Sequence, residues 1–158
     1  MAELFDSYLE HAIGGTPLVP LKNLSSASSG QVWLKLESGN PTGSYKDRMA
    51  YAVFKNAFAR GDLRTGSRLV EYTGGSTGTS LAHIAARTGI QFIAVSSDAF
   101  AQSKIDSMLA YGAEVITIPS EDRKITPDLI AAMREKAYAI AEEPNLSLIH
   151  ISEPTRPY

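Results

Sequence analysis

The sequence predicts an α/β fold, a doubly wound parallel sheet, on three observations. Short runs rich in β-branched residues, such as Arg68–Tyr72 and Glu114–Ile118, alternate with helical patterns of about 11 to 16 residues, the rhythm of βαβ units. Gly61, Gly89 and Gly112 each follow the last residue of a helical pattern, where a left-handed C′ position is wanted. Composition is that of an ordinary globular protein, with 44% hydrophobic and 20% charged residues in a chain of 158.

In chain order, strands are expected over 18–21 and 32–37, separated by a serine- and glycine-rich loop at 25–30. A helix follows over 45–59, then a strand over 68–72 and a helix over 77–87. Next come a strand over 91–95, a helix over 102–111 and a strand over 114–118. Thr126 as N-cap, with Pro127 at the first helical position, opens a last helix running to about Ala141.

Several function classes find no support. The net charge is −2, and no basic block or aromatic–basic interleaving points to nucleic acid. No apolar run approaches the ~20 residues of a membrane span. The opening Met1-Ala2-Glu3-Leu4-Phe5-Asp6 is acidic and has no secretory n-region or h-region, so a cytoplasmic protein is expected. There is no cysteine, which removes disulfides and thiolate metal sites, and His11, His83 and His150 are scattered, so no metal is expected. His83 reads as a packed or surface histidine. Trp33, flanked by Val32 and Leu34, reads as core or interface material, and the run Glu121-Asp122-Arg123-Lys124 as a solvated loop.

Two motifs carry chemistry. In the first, an apolar strand passes through Asn40-Pro41-Thr42-Gly43 into a helix start at Ser44-Tyr45-Lys46-Asp47-Arg48. Ser44 and Asp47 stand at capping-box spacing, which makes Ser44 the expected N-cap and Asp47 its partner, with Arg48 in local ion pairing. Lys46 then falls in the first turn, at the positive end of the helix dipole, a poor place for an ammonium. A lysine that gives up its proton readily attacks carbonyl carbon and forms a Schiff base.

The second motif is Val70-Glu71-Tyr72-Thr73-Gly74-Gly75-Ser76-Thr77-Gly78-Thr79-Ser80, a strand leading through a glycine-rich loop into a helix. Glycines bring backbone close to a ligand, and the amides of a helix start bind anions. A P-loop is excluded, because no lysine precedes the Ser/Thr at the required spacing. A Rossmann-like, non-catalytic nucleotide-binding loop stays open. Gly75 and Gly78 fit the last two glycines of its fingerprint and Asp98 follows about 20 residues on, but Thr73 stands where the first glycine belongs.

The chain's last stretch is different in kind. Leu146-Ser147-Leu148-Ile149-His150-Ile151-Ser152-Glu153-Pro154-Thr155-Arg156 resembles, codon by codon, a translation of the transposase end and adapter used in preparing sequencing libraries. Residues 146–158 are therefore expected to be a non-native read-through tail, outside the fold, with the natural chain broken near Asn145. The net charge is the same without it, since Glu153 and Arg156 cancel.

Asn40-Pro41-Thr42-Gly43-Ser44-Tyr45-Lys46-Asp47-Arg48 closely resembles the pyridoxal-phosphate lysine motif of the fold-type II enzymes, the cysteine synthase and cystathionine β-synthase family. Thr73 to Gly78 is similar to that family's Thr-Ser-Gly-Asn-Thr-Gly loop, with Gly74 for the serine and Ser76 for the asparagine. Ile13-Gly14-Gly15-Thr16-Pro17-Leu18 resembles its Gly-Asn-Thr-Pro-Leu segment, with glycine in place of asparagine. Lys104, followed by Ala110-Tyr111-Gly112-Ala113-Glu114, resembles its helix-to-strand turn.

The resemblance implies the N-terminal half of a fold-type II enzyme. Lys46 would hold pyridoxal 5'-phosphate and act as general base; Ser76 would contact the cofactor's 3′-oxygen. Thr73, Gly74, Gly75 and Thr77 would bind the substrate's α-carboxylate. The implied reaction is β-replacement or β-elimination on a serine or cysteine derivative, as in cysteine synthase, with a homodimer as the whole enzyme. Residues 1–40 would pack on a large domain and 41–145 would form the small domain. The large C-terminal domain, with the phosphate loop and the pyridine-nitrogen partner, is expected to be missing, which would leave this chain inactive. Threonine synthase or a serine/threonine dehydratase is the alternative within the resemblance, and the nucleotide-binding module the alternative outside it.

Overall fold

Leu69 and Val70 are neighbours on one strand, point to opposite faces, and are both fully buried. Strands buried on both faces belong in a parallel sheet covered by two layers. The structure, a computed structural model, describes residues 7–24, 30–143 and 146–148. In order these form α1 (Ser7–Ala12), β1 (Leu18–Pro20), β2 (Trp33–Lys35), α2 (Lys46–Arg60), β3 (Arg68–Tyr72) and α3 (Ser76–Thr88). Then follow β4 (Gln91–Ser97), α4 (Gln102–Ala110), β5 (Glu114–Ile118), α5 (Pro127–Ala141) and β6 (Leu146–Leu148).

The main sheet runs β5-β4-β3-β6 and every pair in it is parallel. Leu69, Phe92 and Ala94 face one layer, packing with Phe54 of α2, Leu81 and Ile84 of α3 and Met108 of α4. Val70, Ile93 and Val95 face the other, against Leu129, Met133, Ala137 and Ile140 of α5. The α5 residues recur at helical spacing, one apolar stripe of an amphipathic helix. α3 is buried on nearly every side because α2 and α4 cover what the sheet does not. Each large side chain so buried contributes about 1.5–3 kcal/mol.

The predicted elements are all present, with boundaries moved by a residue or two at most helices. Gly61, Gly89 and Gly112 close their helices at φ +81°, +68° and +83°, in the left-handed region glycine tolerates. Thr126 caps α5, its hydroxyl accepting the Leu129 N–H at 3.2 Å. The strand expected over 32–37 shortens to Trp33–Lys35, because Glu37–Gly39 tightens into a 3-10 turn. α1 was not foreseen. Six residues are too few for periodicity to register, and its anchor is tertiary: Leu9 is fully buried in the first core cluster.

The tail also departs from expectation. Leu146–Leu148, set outside the fold on sequence grounds, pairs with β3 in the register Arg68↔Leu146 to Val70↔Leu148. Main-chain hydrogen bonding is indifferent to where a segment comes from, and Leu-Ser-Leu alternates as a strand does. The first six residues, the loop at 25–29, the expected break near Asn145 and residues 149–158, His150 included, lie outside the described residues.

β1 and β2 form a separate antiparallel hairpin. Trp33 stands on it 49% exposed, with Leu18, Val32 and Leu34 also exposed, so Trp33 is not core. The charged run at 121–124 is an exposed turn, as expected, with Asp122 and Arg123 at positive φ. In the main sheet the chain moves from β3 out to β5, then returns past β3 to place β6. Sheets of this kind take ligands at the carboxyl edge of their parallel strands. The loop leaving β3 there is 73–75.

Candidate active site

Lys46 is the first residue of α2 and is half-buried. Gly43, at φ +74°, turns the chain into the helix. The Ser44 hydroxyl accepts the Lys46 N–H at 3.1 Å, but the N-cap of α2 is Tyr45, one residue after the expected Ser44, and no side chain caps the helix from that position. The reciprocal half of the expected capping box is absent. Asp47 instead accepts the Thr42 N–H at 2.8 Å and the Thr42 hydroxyl at 2.5 Å. The turn at Gly43 carries Thr42, not Ser44, over the carboxylate.

Asp47 does more than close a turn. It lies in helical phase with Ala50, Phe54 and Ala57, the buried face of α2, and is only 1% exposed. That face packs on α3, and there Asp47 accepts the Ser80 hydroxyl at 2.5 Å. The start of the lysine helix is thus joined to the helix that follows the glycine loop. Ion pairing falls to Arg48, whose guanidinium bonds both Glu37 oxygens at 2.9 and 3.0 Å. This guanidinium, seconded by Thr16, pulls the Glu37 carboxyl down to about 2. The Lys46 ammonium lies 4.9 Å from the centroid of the Tyr45 ring, over its own neighbour.

The same residues tether the N-terminal loop. Thr16 donates its hydroxyl to Glu37 at 2.8 Å and accepts Arg48 at 3.0 Å, while Asn40 accepts the Gly14 N–H at 2.9 Å. Gly15 sits at φ +59°, a left-handed conformation that glycine and asparagine both tolerate.

The glycine loop is packed to the limit. A Cβ on Gly78 would lie 2.5 Å from Thr73 Cγ2 and closer still to Met108 Sδ. A Cβ on Gly74 would lie 2.5 Å from Phe100 Cδ1 and Cζ and closer still to Cε1. Thr73 is buried, and its Oγ1 accepts the Gly78 N–H at 3.0 Å, so it closes the first turn of α3 and still has its proton to offer a ligand. The N–H groups of Ser76 and Thr77 lie in the first turn, ahead of any intrahelical partner. Ser76, Thr77, Gly74 and Gly75 are all half-buried at the carboxyl edge of β3. A helix start with amides in hand and no side chain at 74 or 75 suits a flat anion.

Asp98, the acidic residue of the nucleotide-binding alternative, is engaged elsewhere. Its carboxylate accepts the Ser120 N–H at 2.8 Å and ties the end of β4 to the segment after β5. Hydrogen bonding from Ser120 holds that carboxyl below its ordinary range. His83 is a packed histidine, 5.2 Å from the Tyr111 ring, as expected. Among the described residues no cluster of ligating side chains could hold a metal, and no helix is long and apolar enough to cross a membrane. Sequence reasoning missed Thr42, Ser80 and Phe100. Asp47 in phase with Ala50 and Phe54 was a readable sign of a buried carboxylate needing donors.

The chain is 41% identical over 129 residues to "Cysteine synthase B" of Salmonella typhimurium, covering 81% of this chain and 43% of that one. It is 44% identical over 128 residues to "Probable cysteine synthase" of Bacillus subtilis, covering 81% and 40%. Among solved structures, O-ureido-L-serine synthase matches at TM-score 0.70 and 36% identity, over 85% of this chain and 42% of that one. A hydrogen sulfide-producing enzyme from Fusobacterium nucleatum matches at TM-score 0.77 and 30% identity, over 90% and 46%. The chain spans about two fifths of the length of the curated relatives named here. The family described as "Pyridoxal-phosphate dependent enzyme" matches residues 9–156, nearly the whole chain, and the chain belongs to that family.

Proposed function

We propose that this chain is the lysine-bearing part of a pyridoxal-phosphate enzyme of the cysteine synthase type, acting by β-replacement or β-elimination on a serine or cysteine derivative. One observation carries the reading: Asp47 and Ser80 bond across α2 and α3, which holds the Lys46 helix start against the helix whose first turn follows the glycine loop. The names of the relatives, cysteine synthases and an O-ureido-L-serine synthase, support a serine derivative as substrate.

The residues fit the contacts that this part of the protein would supply. Lys46 offers a primary amine for the cofactor's carbonyl carbon, and the Ser76 hydroxyl stands at the helix start within the same edge. When bound, pyridoxal phosphate supplies an electron sink for charge developing at the substrate's α-carbon. The Ser76 and Thr77 amides, with the Thr73 and Thr77 hydroxyl protons and the bare backbone at Gly74 and Gly75, would bind and orient the α-carboxylate. Lys46 Nζ, once released from the cofactor, would remove the α-proton as general base. Departure of the β-substituent would then open the β-carbon to a thiol or sulfide. A small amino-acid substrate, a homodimeric whole enzyme and a cytoplasmic setting belong to the same proposal. So do a small domain at 41–145, a segment at 1–40 that packs on a large domain through the exposed hairpin, and a read-through origin for 146–158.

Borohydride trapping tests the assignment. In the whole parent protein, the reduced cofactor should map to Lys46, and Lys46→Ala should abolish both adduct and turnover. A label on another lysine would overturn it. The 158-residue chain alone should show no sulfide-dependent cysteine formation. It would lack partners for the phosphate and the pyridine nitrogen, each charge-assisted bond being worth about 1.5–3 kcal/mol, or tenfold or more in affinity.

A further inference from the structure

We propose that Phe100 is a positioning residue for the substrate-carboxylate loop, its ring bracing the Gly74 backbone in the volume that a side chain at 74 would otherwise fill. This rests on the reading of 73–77 as the carboxylate subsite. The observation is the near-contact of three ring carbons, Cδ1, Cε1 and Cζ, with the site of a Cβ on Gly74.

Phe100 is held in place from behind. Its N–H donates to the Ser97 carbonyl at 3.2 Å, and the Ala99 N–H to the Ser97 hydroxyl at 3.2 Å, so the turn after β4 fixes where the ring projects. The ring also packs against the core cluster shared by β3, β4 and α5. In the first turn of α4, Lys104 continues the same wall, its Cγ lying 3.9 Å from the site of a Cβ on Gly75. The start of α4 therefore backs the glycine loop along its length.

The consequence is a division of labour. A serine at 74 would bring a hydroxyl donor; here that donor is gone and the space belongs to an aromatic ring. Binding of the α-carboxylate then depends on backbone amides, whose direction depends on the loop staying where the ring presses it. An apolar wall also keeps water from competing for those amides. Gly74 and Phe100 form a matched pair, and changing either alone should be worse than changing both.

The test is a double-mutant cycle in the whole parent protein, with O-acetyl-L-serine and sulfide as the probe. Phe100→Ala should raise KM about tenfold with kcat within about twofold, the pattern of lost ground-state binding. Gly74→Ser should lower the thermal midpoint and raise KM, because the ring blocks the new side chain. The double variant should recover both, to within about threefold of the wild-type KM, a coupling that only residues in contact show. Phe100→Leu keeps apolar volume in the core and covers the case in which the alanine variant fails to fold; it should raise KM with the midpoint nearly unchanged. Additive effects, or a KM untouched by either Phe100 variant, would overturn the proposal. A wild-type parent with no turnover of any amino acid would instead bring down the functional reading on which this one stands.

Discussion

Replacing Asp47 by asparagine keeps the shape of the side chain and changes what its atoms can accept. In the native protein Oδ1 receives the Thr42 and Ser80 hydroxyls at 2.5 Å each, and Oδ2 receives the Thr42 N–H at 2.8 Å. An asparagine that keeps its oxygen toward the two hydroxyls must turn its NH2 toward the Thr42 N–H, donor against donor. The Thr42 N–H loses its charged acceptor and is left unsatisfied, about 1.5–3 kcal/mol, and the two hydroxyl bonds fall from charge-assisted to neutral, about 1 kcal/mol more. Neutralising a buried carboxylate returns part of that, because its desolvation cost disappears. The net expectation is a loss of about 2–3 kcal/mol. At an m-value of about 2 kcal/mol/M in urea, the denaturation midpoint should fall by about 1–1.5 M, read by far-UV circular dichroism. Ser80→Ala, which removes one donor and leaves the turn intact, should cost about 1 kcal/mol and be non-additive with Asp47→Asn. In the whole parent, Asp47→Asn should also slow borohydride-trapped labelling at Lys46. An unchanged midpoint, or strict additivity with Ser80→Ala, would refute the claim that this carboxylate holds the two helix starts together.

Three further outcomes follow from the same geometry. Gly78→Ala should lower the thermal midpoint by about 4–10 °C, since the new methyl runs into Met108 and Thr73 in a filled core. The Glu37 carboxyl, held at about 2 by Arg48 against 4.5 unfolded, stabilises the fold fully above 4.5 and loses that contribution as pH falls through about 2. Glu37→Gln should flatten the acid limb of a urea-midpoint profile across that window. Burial lowers the proton affinity of His83 from 6.5, with nearby Asp47 pulling the other way, so the unfolded chain takes up the proton first and stability falls as pH drops below 6.5. His83→Phe keeps the contact with Tyr111 and should remove that slope between pH 7 and 5.5.

What the sequence made legible was local. Helix ends were readable because Gly61, Gly89 and Gly112 announce a positive φ, and the α5 start because Thr126-Pro127 can cap and enter a helix without wasting a donor. The lysine and the glycine loop were readable because each lies wholly within one strand–turn–helix passage. The misses share a cause: they are decided by residues far away in the chain. Asp47 reads as half of a capping box with Ser44, yet its partners are Thr42, turned over it by Gly43, and Ser80, thirty-three positions on. α1 is a helix only because Leu9 finds the core. Leu146–Leu148 takes a place in the sheet because the edge of β3 accepts any extended backbone.

Gly74 shows the same limit at the candidate site. As sequence, it reads as a deletion: a serine hydroxyl that the fold-type II loop normally carries is missing. As structure, it is one member of a contact whose other member, Phe100, lies beyond the next strand in a segment with no motif to flag it. The glycine is therefore not a weakened version of the loop but a condition for the ring to approach. A side chain lost from a binding loop can leave room for a second element to pack against it. The search for what compensates belongs in whatever faces the vacated volume, here the turn between β4 and α4.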